Sequence, residues 1–164
     1  MKLYFLRHGI AAEPEDWAGD DFDRPLTDEG IAKMQRAADA MAELRLDLDV
    51  IVTSPLVRAR QTAGIVARAL HLKGQLIEDP RLGGGFGPGP LPDILADHAK
   101  ADAVLLVGHE PAMSRTVGHL IGDAAIDFKK GTLACVNMPN IANLRGELQW
   151  LVTAKILAMK GRPA

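Results

Sequence analysis

Three short runs of the chain are apolar almost without interruption: KLYFL at 2–6, DVIVT at 49–53 and AVLLV at 103–107. A strand that meets water on one face alternates, so continuous runs predict central parallel strands covered on both faces. Between the first two, Ile31, Met34, Ala38 and Met41 fall on one stripe of a helix predicted over 28–44. Thr27 is its expected N-cap, and Asp28 and Glu29 suit the positive end of its dipole. A second helix is predicted with Ser54 as N-cap and Pro55 at its first position, running to about 70, with Ala59, Ala63, Val66 and Leu70 facing inward. A weak edge strand follows at 75–77. The stretch GGGFGPGPLP (83–92) reads as an exposed loop at the rim or lid of a pocket. A third helix is predicted from Pro111 to just before Gly122. The alternating runs TLACVNM (132–138) and GELQWLVT (146–153), on either side of PNIANLRG, predict a hairpin.

This β-α-β-α-β order implies an α/β fold, a three-layer sandwich whose central sheet is mostly parallel with helices on both faces. At 164 residues the chain fits one domain, 1–164, large enough to bury a substantial core. Nineteen Lys and Arg against 21 Asp and Glu leave a net charge of −2, which argues against a protein that coats nucleic acid. No apolar stretch approaches the roughly 20 residues of a membrane span, and the chain enters its first strand without a leader pattern, so a cytoplasmic location is expected. Cys135 is the only cysteine, which excludes an intramolecular disulfide and reads as a small apolar filler.

Chemistry gathers at the strand ends. The first apolar run stops at Arg7-His8-Gly9, the second leads into SPLVRARQT with Arg58 in a first helical turn, and the third ends in GHEP, with His109 just ahead of a helix. In an open α/β sheet ligands bind beyond the carboxyl ends of the strands. Two arginines, two histidines and two helix N-termini at one crevice make an anion site, because N-terminal N–H groups and guanidinium forks both suit phosphate oxygens. The sequence shows no obvious carboxylate to pair these cations. The glycines at 83–92 contain no phosphate-binding glycine motif. HEPAM begins like the metal motif H-E-x-x-H but has Met113 where the second ligand belongs. His71, His98 and His119 read as ordinary surface or core histidines. No metal and no cofactor is expected.

Taken together, LRHG at the first strand end, RPLTDEG (24–30), SPLVRARQT (54–62) and VGHEP (107–111) resemble the histidine phosphatase superfamily, also called phosphoglycerate-mutase-like. More closely they resemble its short SixA-type phosphohistidine phosphatases. The resemblance runs from residue 2 to about 153. It implies that His8 is a nucleophile forming a phosphohistidine intermediate, and that Arg7, Arg58 and His109 surround the phosphate, with His109 also catalytic. It implies a metal-independent phosphatase acting on a phosphorylated protein, a histidine-phosphotransfer domain being one candidate, with neither nucleic acid nor membrane as partner. Two guanidinium charges beside His8 are expected to hold its imidazole neutral.

One departure narrows the chemistry. Many larger members supply a carboxylic general acid from the loop after the third strand, where this chain has glycines in EDPRLGGGFGPG (78–89). The short phosphohistidine phosphatases lack it there too. Glu13, Asp16, Asp20, Asp21 and Asp23 remain as acids that could reach the site. Three other readings stay open: a small-molecule phosphomonoesterase, a mutase, and a phospholigand-binding module without catalysis. The presence of His8 speaks against the last.

Overall fold

The computed structural model describes residues 1–160. Six strands form one sheet: β1 (Lys2–Arg7), β2 (Val50–Thr53), β3 (Leu76–Glu78), β4 (Ala103–Gly108), β5 (Leu133–Asn140) and β6 (Arg145–Val152), in the order β3-β2-β4-β1-β5-β6. The first four pair in parallel; β5 runs antiparallel to β1, and β6 antiparallel to β5. Five α-helices connect and cover them: α1 (Asp28–Glu43), α2 (Val57–Ala69), α3 (Leu91–Asp97), α4 (Ala112–Leu120) and α5 (Ala154–Lys160). The fold is the α/β sandwich expected. No helix among the described residues is long and apolar enough to cross a membrane.

The period of two along β1 explains its unbroken apolar run. Tyr4 and Leu6 enter the core beneath α1, α2 and α5, whereas Leu3 and Phe5 enter the one beneath α3 and α4. With both faces covered, all four positions must be apolar. Thr27 caps α1 as expected, its hydroxyl accepting from the Gly30 N–H at 3.0 Å.

Several expectations need correcting. Helix α2 begins at Val57, with Leu56 in the cap position, not at Ser54 and Pro55. Ser54 prolongs β2 instead: its N–H donates to the Val107 carbonyl, and its hydroxyl is hydrogen-bonded to His109. Ile31 is 39 % exposed, not buried. The first turn of α1 presses Gly30 inward against the Ile10 carbonyl, where any Cβ would collide, and this turns Ile31 outward. The 83–92 stretch is not wholly exposed: Phe86 is buried in the core, and its last two residues open α3, a helix the sequence pattern did not reveal. Helix α5 was likewise not foreseen; it packs on α1 through Leu157.

The sheet order positions the site. Because β4 lies between β1 and β2, the three strand ends carrying polar residues are neighbours, with Arg7 opposite Gly108 and Thr53 opposite Val107. Helices α1 and α2 leave toward one face and α4 toward the other, which opens a crevice at these ends.

Candidate active site

His8 occupies the first position past β1 and is only 6 % exposed. Its backbone is tied down on both sides: its N–H donates to the Gly108 carbonyl, and Gly131 N–H donates to the carbonyls of both Arg7 and His8. The next residue, Gly9, donates to Thr62 Oγ1 at 3.1 Å, and that hydroxyl donates to the Arg58 carbonyl at 2.8 Å. One threonine on α2 therefore links the loop that carries the imidazole to the helix that carries the guanidinium.

The His8 tautomer follows from its partner. Nδ1 lies 2.8 Å from the Gly9 carbonyl, which can only accept, so Nδ1 carries the proton and Nε2 the lone pair. Burial is the main reason the imidazole falls to a pKa of about 3; His109, Arg58 and Arg7 push the same way, against the Gly9 hydrogen bond. Guanidinium charge, the cause expected from the sequence, is secondary to desolvation. At neutral pH the His8 imidazole is uncharged, with its lone pair on Nε2.

His109 follows β4 directly, its ring centroid 5.2 Å from that of His8. Burial first, then Arg58, lowers its pKa to about 4. Nε2 lies 2.8 Å from Ser54 Oγ, and that oxygen also accepts from the Leu56 N–H. Among the described residues the Ser54 hydroxyl has no other acceptor, so it donates to Nε2, which places the His109 ring proton on Nδ1.

The two arginines are anchored at their tips. Arg7 Nη1 donates to the Phe128 carbonyl at 2.9 Å. Arg58, 6 % exposed, donates through Nη1 to the Asp21 carbonyl at 2.7 Å and through Nη2 to Asp21 Oδ2 at 3.0 Å. Among the described residues, four buried side-chain polar atoms lack a partner: Arg7 Nε, Arg58 Nε, His109 Nδ1 and Thr132 Oγ1. Three of the four are N–H donors on Arg7, Arg58 and His109, the residues that act on the pKa of His8. Leaving such donors unpaired in a dry site is costly, and an oxyanion bound beside His8 would relieve it.

The structure thus brings Arg7, His8, Arg58 and His109 together and adds residues that sequence reasoning had placed elsewhere or missed. Asp21 is the carboxylate partner that seemed to be lacking. Of the five acids considered, it is the one that reaches Arg58, from a short 3-10 turn (Asp21–Asp23). Partial burial raises its pKa, but hydrogen bonds from Arg24 and Arg58 outweigh that and hold the carboxyl below its usual range. It is ionised, with no proton to give. Glu13 pairs with Lys130, and Asp20 caps the Phe22 N–H. Ser54 had been assigned to a helix cap. Thr62 was missed, although its place four residues after Arg58 on a helix marks it as a neighbour on the same face. Among the described residues, no group of three or more His, Cys, Asp or Glu side chains is placed to hold a metal ion.

Comparison with known proteins gives the family. Residues 3–83 match the model of the histidine phosphatase superfamily, branch 1. An uncharacterized protein of Picosynechococcus is 43% identical over 117 residues, 68% of this chain and 67% of that one. The phosphohistidine phosphatase SixA of Escherichia coli is 26% identical over 162 residues, covering 97% of this chain and 98% of its own. In three dimensions, the structure of the protein histidine phosphatase SixA complexed with tungstate superposes with a TM-score of 0.85 at 25% identity, over 96% of this chain and 99% of that one. The chain belongs to the histidine phosphatase superfamily and is a hydrolase of that type. Within the superfamily it falls with the short SixA-type proteins.

Proposed function

We propose that this protein hydrolyses N-phosphohistidine carried on another protein, with the phosphoryl group passing through His8. The observation that carries the reading is the set of three unpartnered buried N–H donors, Arg7 Nε, Arg58 Nε and His109 Nδ1, on residues near enough to act on an imidazole held neutral with its lone pair on Nε2. That arrangement suits a phosphoryl group in transfer: a nucleophile on one side and fixed donors for the equatorial oxygens. The resemblance to SixA proteins supports the substrate class, and with it a partner of the phosphorelay type.

In the first step the Nε2 lone pair attacks phosphorus while the P–N bond to the substrate imidazole breaks. The departing nitrogen takes a proton from water; His109, neutral at working pH, offers a hydrogen bond from Nδ1–H and keeps its proton. Water then attacks the phosphorus on His8, releasing inorganic phosphate and restoring the free imidazole. The leaving group sets the preference. Expelling an alkoxide requires a positioned acid, a contribution of about 10²–10⁴ in rate. Asp21, the carboxylate bonded to Arg58, is ionised. An imidazole leaves without such help, and its exchange for His8 is nearly symmetric.

The test is one enzyme preparation on a phosphohistidine protein, an aryl phosphate and an alkyl phosphate, with trapping of labelled enzyme. The expected order of kcat/KM is phosphohistidine, then aryl, then alkyl, the last barely above background. The label should be acid-labile and base-stable, and absent from a folded His8→Ala variant. Undiminished labelling of that variant moves the nucleophile elsewhere, and rapid alkyl phosphate turnover replaces this reading with a general phosphomonoesterase.

A further inference from the structure

Helix α2 serves the site with one face and leaves another uncovered. Ala59, Thr62, Ala63 and Val66 are buried, whereas Val57, Gly64 and Arg68 line an open groove of about 510 Å³, closed at its sides by Ile31 of α1 and Leu76 of β3. Two features of the groove have no use within the chain. Gly64 sits in the middle of a helix, where glycine is a poor choice, yet a Cβ there would meet only Arg68 Nη1 at 3.7 Å. Nothing among the described residues requires the missing side chain; its effect is to deepen the groove floor. Ile31 presents an exposed apolar side chain to the same space.

Charge and position define the occupant. Arg60 in the groove is balanced by Glu78 at 3.6 Å, but among the described residues no carboxylate lies within ion-pair distance of the exposed Arg68. The groove is net positive with an apolar floor. From Val57 to Arg68 it spans about 16 Å, three turns of helix, and its Val57 end is one residue from Arg58. A glycine at the crossing point lets a second helix approach at the close end of the usual 8–10 Å separation. The neighbouring edge strand β3 has only three residues, too short a ladder for an added strand. A two-fold copy of this chain would set the cationic groove against itself.

We propose that this groove docks the phosphoprotein substrate. A helix of the partner lies along α2, its apolar stripe on Ile31 and Gly64 and a carboxylate on Arg68, so that its phosphohistidine enters the pocket at the Arg58 end. The inference rests on the phosphohistidine-protein reading above and adds where that protein binds. A groove of this size suits a short-lived encounter, as turnover requires.

Wild type, Gly64→Gln and Arg68→Glu are compared on a histidine-phosphotransfer domain phosphorylated on its histidine and on phosphoramidate, which is too small to fill the groove. Both variants should raise KM for the phosphorylated domain at least tenfold and leave its kcat, and kcat/KM for phosphoramidate, within twofold of wild type. Replacing glycine with a better helix former at an open position should also raise the Tm of Gly64→Gln by about 1–2 °C, which separates lost docking from lost fold. An unchanged KM for the domain in both variants overturns the proposal, as does an equal loss on both substrates. Wild-type turnover of phosphoramidate without turnover of the domain removes the docking role while sparing the phosphoramidate chemistry. Turnover of neither overturns the functional reading and this inference with it.

Discussion

At the scale of single residues, the site depends on which nitrogen holds a proton and which is left free. The Gly9 carbonyl fixes that choice for His8, and Ser54 does so for His109. Arg58 shows why arginine is needed. Its Nη nitrogens are committed to Asp21 while Nε has no partner among the described residues, so the guanidinium is held by the 3-10 turn and keeps one donor free. A lysine ammonium has no planar fork and cannot hold both ends. Arg58→Lys should therefore lower kcat/KM by at least ~10², about 2.7 kcal/mol of transition-state stabilisation. Arg60→Lys, at an exposed residue paired with Glu78 away from the pocket, should be nearly silent. Steady-state kinetics on both variants decides this, and equal losses would mean that Arg58 has no special part.

Secondary-structure elements meet at the site through few bonds, and Thr62 makes two of them. Its hydroxyl accepts from Gly9 N–H and donates to the Arg58 carbonyl, so β1's trailing loop and α2 share one buried oxygen. Thr62→Val keeps the shape and removes the acceptor, leaving the buried Gly9 N–H unpaired at a cost of about 1–3 kcal/mol. The measurement is the urea midpoint against wild type at neutral pH. An unchanged midpoint would show that Gly9 finds another acceptor and that the link is dispensable. Elements also differ in how openly they are written in the chain. The strands and the Thr27 cap of α1 depend on local pattern and appear where that pattern puts them. The start of α2 depends on a residue 55 positions away, because Ser54 is drawn into the sheet by Val107 and His109, and no local rule shows that.

For the molecule as a whole, burying two neutral imidazoles makes stability depend on pH. His8 and His109 titrate near 3 and 4 when folded and near 6.5 when unfolded. Between those values the unfolded chain binds more protons, so stability is complete above about pH 6.5 and is lost as pH falls toward the folded values. For His8 alone the loss by pH 5 is about 2 kcal/mol, from 1.5 pH units at about 1.4 kcal/mol each. Urea midpoints at pH 7.5 and pH 5 should fall more for wild type than for a folded His8→Ala variant. Equal falls would mean that His8 is not held neutral by the fold.

Much of this protein is legible in its sequence. Continuous apolar runs require strands covered on both faces, and Arg7, His8, Arg58 and His109 stand beside those strands or in a first helical turn. Parallel pairing of β1, β4 and β2 then brings their carboxyl ends side by side. These are local constraints, set by periodicity and strand direction. What tertiary structure alone decided depends on contacts between segments far apart in the chain. Asp21 became the partner of Arg58 although four other acids lay nearby, because its 3-10 turn alone places a carboxylate and a carbonyl within reach of one guanidinium. Ser54 became the partner of His109 instead of a helix cap. Burial, which no motif displays, became the main cause of the low pKa of His8, because desolvation belongs to the assembled core and not to any residue in it.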